Sequence, residues 1–109
     1  MLEALFNSKN REKILIFLLA RNEGYAREIS KYYNTSLSPI QNQLDKLENG
    51  SILVSKSIGK TRVYYFNPRY PFLKELIELL KKAIEFLPDE NVELLYKIRK
   101  RPRRKGKPI

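Results

Sequence analysis

Two adjacent runs decide how this chain folds: Ala26-Arg-Glu-Ile-Ser-Lys-Tyr-Tyr33 and Ser36-Leu-Ser-Pro-Ile-Gln-Asn-Gln-Leu-Asp-Lys-Leu-Glu-Asn49, with only Asn34 and Thr35 between them. In the first, Ala26, Ile29, Ser30 and Tyr33 recur at i, i+3, i+4 and i+7, the inward face of a helix over about 26–33. Asn34 tolerates the positive φ of a tight turn. Ser36 suits an N-cap, because its hydroxyl can accept from a first-turn amide. Pro39 falls where a helix has no internal hydrogen bond to lose. The second helix, over about 37–49, buries Ile40, Leu44 and Leu47 and is closed by Gly50 and Ser51. Two short helices joined in this way form a helix-turn-helix, whose second helix matches the roughly 12 Å width of the DNA major groove.

Downstream the apolar period changes. Residues 52–57 and 62–66 are short β-prone runs, and Ile58-Gly-Lys-Thr61 between them reads as a hairpin tip. Asn67-Pro68 ends the hairpin. A further helix from about 70 or 72 to 87 repeats Leu73, Leu76, Leu80, Ile84 and Leu87, with Ile77 beside them. Pro88 breaks it, Asp89 can cap a short last helix to about Arg99, and 101–109 is expected to be disordered. Upstream, 11–20 is apolar nearly all round after its first turn and should sit mid-domain, with Ser8 or Asn10 as its cap and Gly24 as its stop. Leu2, Leu5 and Phe6 form a small apolar cluster ahead of it. The expectation is a mostly α fold with a small β-hairpin (α+β), a winged helix-turn-helix in the order α-α-α-β-β-α. Its domain spans 1–87 with a dimerisation helix at about 70–87, followed by a short helix and basic tail over 88–109.

Composition excludes several classes of chemistry. The 109 residues contain no cysteine and no histidine, which removes disulfides, thiolate and Ser/His or Cys/His catalysis, and the commonest metal ligands. With four glycines there is no phosphate-cradling loop, and the acids are scattered. The expectation is therefore a non-enzyme without cofactor or metal. No apolar run approaches the roughly 20 residues of a membrane span, and the start of the chain lacks the pattern of a signal peptide, so a cytoplasmic protein is expected. The weak compositional hint of a thermophile comes from Lys, Ile, Glu and Tyr richness.

The net charge of +10 is unevenly placed. Residues 97–109 carry eight basic groups and no acid, whereas 24–69 hold seven basic and three acidic groups and 70–96 three basic and six acidic. A tail so charged attracts any polyanion and reads as a DNA arm, the alternative being a merely solubilising end.

Turning Ile40, Leu44 and Leu47 inward presents Ser38, Gln41, Asn42, Asp45, Lys46 and Asn49 on the other face. Amides pair bidentately with adenine, a serine hydroxyl serves donor or acceptor edges, and a flanking lysine suits phosphate. The bland alternative is the solvated face of an amphipathic helix. Lys56, Lys60 and Arg62 surround the hairpin tip, with no acid between Glu48 and Glu75. Such a tip can straddle the phosphate backbone or enter the minor groove, or it can simply guard a strand edge. The long stripe of Leu73, Leu76, Ile77, Leu80, Ile84 and Leu87, joined by Leu2, Leu5 and Phe6, exceeds the needs of one small core and suggests a homodimer.

Four stretches carry a family resemblance: Leu5-Phe-Asn-Ser-Lys-Asn-Arg-Glu-Lys-Ile-Leu15, Ala26-Arg-Glu-Ile-Ser30, Ser36 through Glu48, and Val63-Tyr-Tyr-Phe-Asn-Pro68. Over about residues 5–87 the chain resembles the ArsR-type and MarR-type winged-helix transcriptional regulators. Within them it is most similar to the small prokaryotic subgroup related to regulators linked to nucleotidyltransferase domains. The resemblance implies a homodimer on a two-fold DNA operator. It makes Ser38, Pro39, Gln41 and Asn42 groove residues, and Arg27, Lys60 and Arg62 backbone contacts; Ser36, Lys46 and Lys56 complete the expected binding set. Asn34 stands where the family has glycine, and the metal-thiolate sites of ArsR-type sensors have no counterpart. The rival readings are an RNA-binding winged helix, with Tyr25, Tyr32 and Tyr70 as stacking platforms, and a protein–protein adaptor.

Overall fold

The computed structural model describes residues 2–100, with side chains to Tyr96. The chain order is α1 (Glu3–Phe6), α2 (Lys9–Arg21), α3 (Ala26–Tyr33), α4 (Leu37–Asn49), β1 (Leu53–Ile58), β2 (Thr61–Phe66), α5 (Leu73–Ile84) and α6 (Asp89–Lys100). This is the expected mostly α architecture with one antiparallel hairpin, a winged helix-turn-helix. The expected disorder of 101–109 and the role of the tail beyond α6 lie outside the described residues.

α2 is the hub. Ile14, Leu15, Phe17 and Leu18 are all fully buried, and α1, α3, α4, α5, α6 and β2 each pack against it. A helix surrounded in this way has no need of a polar face, which explains its near-continuous apolar sequence. Ser8 caps it, its Oγ accepting from the Arg11 N–H at 3.1 Å. The core continues through Ile29 of α3, Ile40, Leu44 and Leu47 of α4, Leu53 and Tyr64 of the hairpin, Leu80 of α5 and Leu95 of α6.

The turn between α3 and α4 is three residues long, and Asn34 opens it in the left-handed conformation (φ 55°, ψ 51°). Thr35 N–H donates back to Ser30 O at 2.9 Å, satisfying a terminal carbonyl of α3. The hairpin pairs Leu53 with Phe66 through Ile58 with Thr61, leaving Gly59-Lys60 as a two-residue turn. Gly59 takes φ +63° there, the position at which a type II′ turn places glycine.

Four expectations need correction. Gly24 is not the stop of α2: Asn22 supplies the positive φ (73°), its N–H bonded to Leu18 O at 2.8 Å. Gly24 is instead a point of close approach, where an added Cβ would sit 2.8 Å from Phe17 Cε1. Its backbone also pairs with that of Tyr64, Gly24 N–H to Tyr64 O at 3.0 Å and Tyr64 N–H to Gly24 O at 2.8 Å. Ser36 occupies the N-cap of α4, but its side chain makes no capping bond. α5 ends at Ile84 rather than Leu87, and tapers through Phe86 N–H to Ala83 O and Leu87 N–H to Ile84 O, the tighter i→i−3 pattern common at helix ends. Leu80, expected on a dimer face, is fully buried in the chain's own core and has no surface to offer a second copy.

Candidate nucleic-acid interface

The start of α3, the first turns of α4 and the hairpin tip converge on a groove of about 380 Å³. Its walls are Tyr25, Ala26 and Arg27, then Leu37 and Gln41, then Lys60, Thr61 and Arg62. The Gly24–Tyr64 backbone pair produces this convergence. It ties the segment leading into α3 to β2 only two residues beyond Arg62, so the hairpin lies beside Arg27. Three cations line the groove and no carboxylate does. Sequence reasoning singles out Arg27, Gln41, Lys60 and Arg62, and the fold brings these four together.

On α4, Ser38, Pro39, Asn42 and Lys46 are exposed, as is Ser36 at its start. Gln41 is half-buried and held from two sides. Its Nε2 donates to Asp45 Oδ1 at 3.0 Å, one helical turn on, and to the Tyr64 hydroxyl at 3.1 Å, on β2. The Tyr64 hydroxyl in turn lies 3.4 Å from the same Asp45 oxygen. Burial pushes the Tyr64 phenol above its ordinary pKa, so it keeps its proton and can donate. In the sequence Tyr64 is one residue of the second β-prone run. Its ring packs, being fully buried, but its hydroxyl also joins the hairpin to the outer face of α4.

The hairpin cations divide by face. Arg62 sits opposite Ser57 on the Tyr64 side of the ribbon, and its Nη1 donates to Ser55 Oγ at 2.8 Å. Ser55 Oγ donates to Glu48 Oε2 at 2.6 Å, so a relay from α4 holds the arginine near the groove. Lys56 is not brought there. It pairs with Val63 on the other face, with its Nζ 3.2 Å from Glu23 Oε1 and 5.3 Å from the centroid of the Tyr65 ring.

Of the residues expected at a dimer contact, Leu76, Ile84, Leu87, Leu2 and Phe6 are part-buried against the core, while Leu73 and Ile77 are half-buried outside it. Leu5 is exposed. A further group that sequence reasoning missed is Arg21, the last residue of α2. Its buried guanidinium lies over Phe17 and Tyr32, donates from Nε to Leu95 O of α6 at 2.9 Å, and reaches Glu28 of α3 at 3.8 Å. Burial draws its pKa down and raises that of Glu28, and its Nη2 has no hydrogen-bond partner among the described residues. Among the described residues, no cluster of acids, cysteines or histidines can hold a metal ion, and no helix is long and apolar enough to cross a membrane.

No family model matches the chain, and no curated protein matches it by sequence. Solved structures do. Reduced HlyU from Vibrio cholerae superimposes with a TM-score of 0.59 at 23% identity, covering 75% of this chain and 83% of that one. A doubly substituted variant of ZitR from Lactococcus lactis, in apo form, gives 0.55 at 17% identity, covering 89% and 82%. The antimony-specific transcriptional repressor AntR gives 0.52 at 21% identity, covering 72% and 68%. These neighbours are winged-helix transcriptional regulators of the ArsR/MarR type. At such identities it is the fold that is shared, and the chain has the winged helix-turn-helix fold of the ArsR and MarR regulators.

Proposed function

We propose that this chain is a sequence-specific, double-stranded DNA-binding transcriptional regulator, a binding protein rather than an enzyme, acting in the cytoplasm as a homodimer. The observation that carries the reading is the acid-free groove in which Arg27, Lys60 and Arg62 flank the polar outer face of α4. A helix presenting Ser38, Gln41, Asn42 and Lys46 beside three cations suits base edges in the middle and phosphates at the margin. Lys56, paired with Glu23, would meet only a neighbouring phosphate.

Duplex DNA is favoured over single-stranded RNA by the state of the aromatic side chains. Tyr32 is packed edge-on to Phe17 and Tyr33 beneath Arg21, and Tyr70 is edge-on to Phe72. Tyr25 lines the groove and is 40% exposed, which provides one platform where stacked single strands need several. For the dimer, Leu73 and Ile77 of α5 offer half-buried apolar surface outside the core. A two-fold pair would place two α4 helices about one DNA turn, roughly 34 Å, apart. The likeness to AntR supports a regulatory role, but without cysteine or histidine a thiolate or imidazole metal sensor is not proposed.

The test is selection of bound sequences from random duplex DNA, with an inverted repeat as the expected product. Lys60→Ala should weaken binding to all sequences alike and reduce the dependence of log affinity on log salt by about one unit. A lack of any enriched sequence, with affinity governed by salt alone, would overturn the reading.

A further inference from the structure

We infer that Gln41, held by Asp45 and Tyr64, presents hydrogen-bond acceptors only, and so selects adenine or cytosine over guanine or thymine at one base of each half-site. This rests on the DNA-binding reading above and names what the helix would read.

The argument starts from the capacity of one amide nitrogen. A glutamine Nε2 carries two hydrogens, and its Oε1 only accepts. In this fold both hydrogens are committed, to Asp45 Oδ1 at 3.0 Å and to the Tyr64 oxygen at 3.1 Å. The carboxylate fixes which way round the amide lies, since an amide oxygen turned toward Asp45 would place two acceptors in contact. The Tyr64 hydroxyl accepts from Gln41, which leaves its own hydrogen directed to Asp45, 3.4 Å away. The three groups therefore close a ring in which every hydrogen is used inward. What remains to be offered is Oε1 of Gln41, a residue that lines the groove, and, outside that lining, the unshared lone pairs of the exposed Asp45.

A free glutamine pairs bidentately with adenine by accepting from N6 and donating to N7. This one has no hydrogen left for N7. Breaking the bond to Asp45 would free one, but would strand a carboxylate beside the phosphates, and bonds to ionised groups are the stronger kind. An acceptor-only patch meets a partner at the amino groups of adenine and cytosine. At guanine and thymine the major-groove oxygens and the guanine N7 are acceptors too, and repel it.

The test compares selected-sequence profiles of the full chain and three variants. In Gln41→Ala, preference should flatten at one position per half-site while the neighbouring positions keep theirs, and that position should be adenine or cytosine in the parent. Asp45→Ala releases one Nε2 hydrogen, so adenine should gain over cytosine there by about tenfold. Tyr64→Phe keeps the buried ring and releases the other hydrogen, so the same shift should appear in weaker form. Guanine or thymine at that position, or profiles unmoved by all three variants, would overturn the inference while leaving DNA binding intact. Failure of the parent chain to bind any duplex would remove both.

Discussion

The half of the molecule built from α3, α4 and the hairpin differs from the half built from α5 and α6 in what it leaves at the surface. On α4 the apolar residues Ile40, Leu44 and Leu47 are buried, and the outward Gln41 is tied to Asp45 and to Tyr64 of the hairpin. Beyond residue 70, Phe72 is 63% exposed, Phe86 66% and Leu94 49%. Charge follows the same division, basic over 24–69 and acidic over 70–96. Both halves share one core around α2, so the difference lies in what each face is shaped to meet. One sets organised polar groups among cations, with Tyr25, Leu37 and Ile58 also partly exposed, which under the proposed function suits a hydrated polyanion. The other spends apolar side chains on solvent, as a surface does when a protein partner covers it.

The largest expected effect breaks both halves together. Leu44 has no exposed surface and lies where α4 meets the core. Leu44→Ala should cost about 2–5 kcal/mol in chemical denaturation, from lost transfer energy and the cavity left behind. Helical circular dichroism and tyrosine fluorescence should then lose their signals at one shared midpoint. Two separated transitions would show that the halves are independent units rather than two faces of one core.

How much of this is legible in the sequence follows from how local each feature is. The bounds of α3 and α4 can be read to the residue, because Ile29, Ile40, Leu44 and Leu47 keep helical spacing and Asn34 marks the turn. Arg27, Lys60 and Arg62 can be named from type and position. The Gln41–Asp45–Tyr64 ring cannot, because Tyr64 lies 23 positions from Gln41 and meets it only once the hairpin docks. Gly24 misleads for a similar reason: its constraint is the ring of Phe17, packed against it from the preceding helix, and not a local φ. Leu80 reads as part of a surface stripe, since periodicity gives a face and not what covers that face.

An intermediate effect should come from Arg21, which links the two halves. Its Nε bond to Leu95 O and its ion pair with Glu28 connect α6 to α3 through the end of α2. Arg21→Ala removes the bond to α6, the contact with Glu28 and the packing over Phe17 and Tyr32. A cost of about 1–3 kcal/mol is expected, because the arginine is buried, its partner Glu28 is part-exposed, and one guanidinium nitrogen has no partner among the described residues. In hydrogen exchange, the α6 amides should lose protection well before those of α4. Equal loss in both helices would mean that α6 is held by Leu95 alone and that Arg21 couples nothing.

The smallest effect on stability should fall where the surface is most apolar. Phe72 and Phe86 flank α5, and each leaves nearly two-thirds of its surface in water, so the folded chain gains little from either ring. Phe72 is also the N-cap of α5 and makes no side-chain cap bond, so a serine there removes a ring and introduces a capping hydroxyl. The double variant Phe72→Ser, Phe86→Ser should therefore unfold within about 0.5 kcal/mol of the parent at concentrations where both are monomeric. The parent midpoint should rise with protein concentration, as it must when a second copy covers apolar surface, and the variant midpoint should not. Sedimentation of the two proteins at the same concentrations separates the cases. If the variant loses several kcal/mol while monomeric, the rings belong to the chain's own packing. If both proteins associate alike, the partner-facing side of the molecule is elsewhere, and the contrast between the halves reduces to charge.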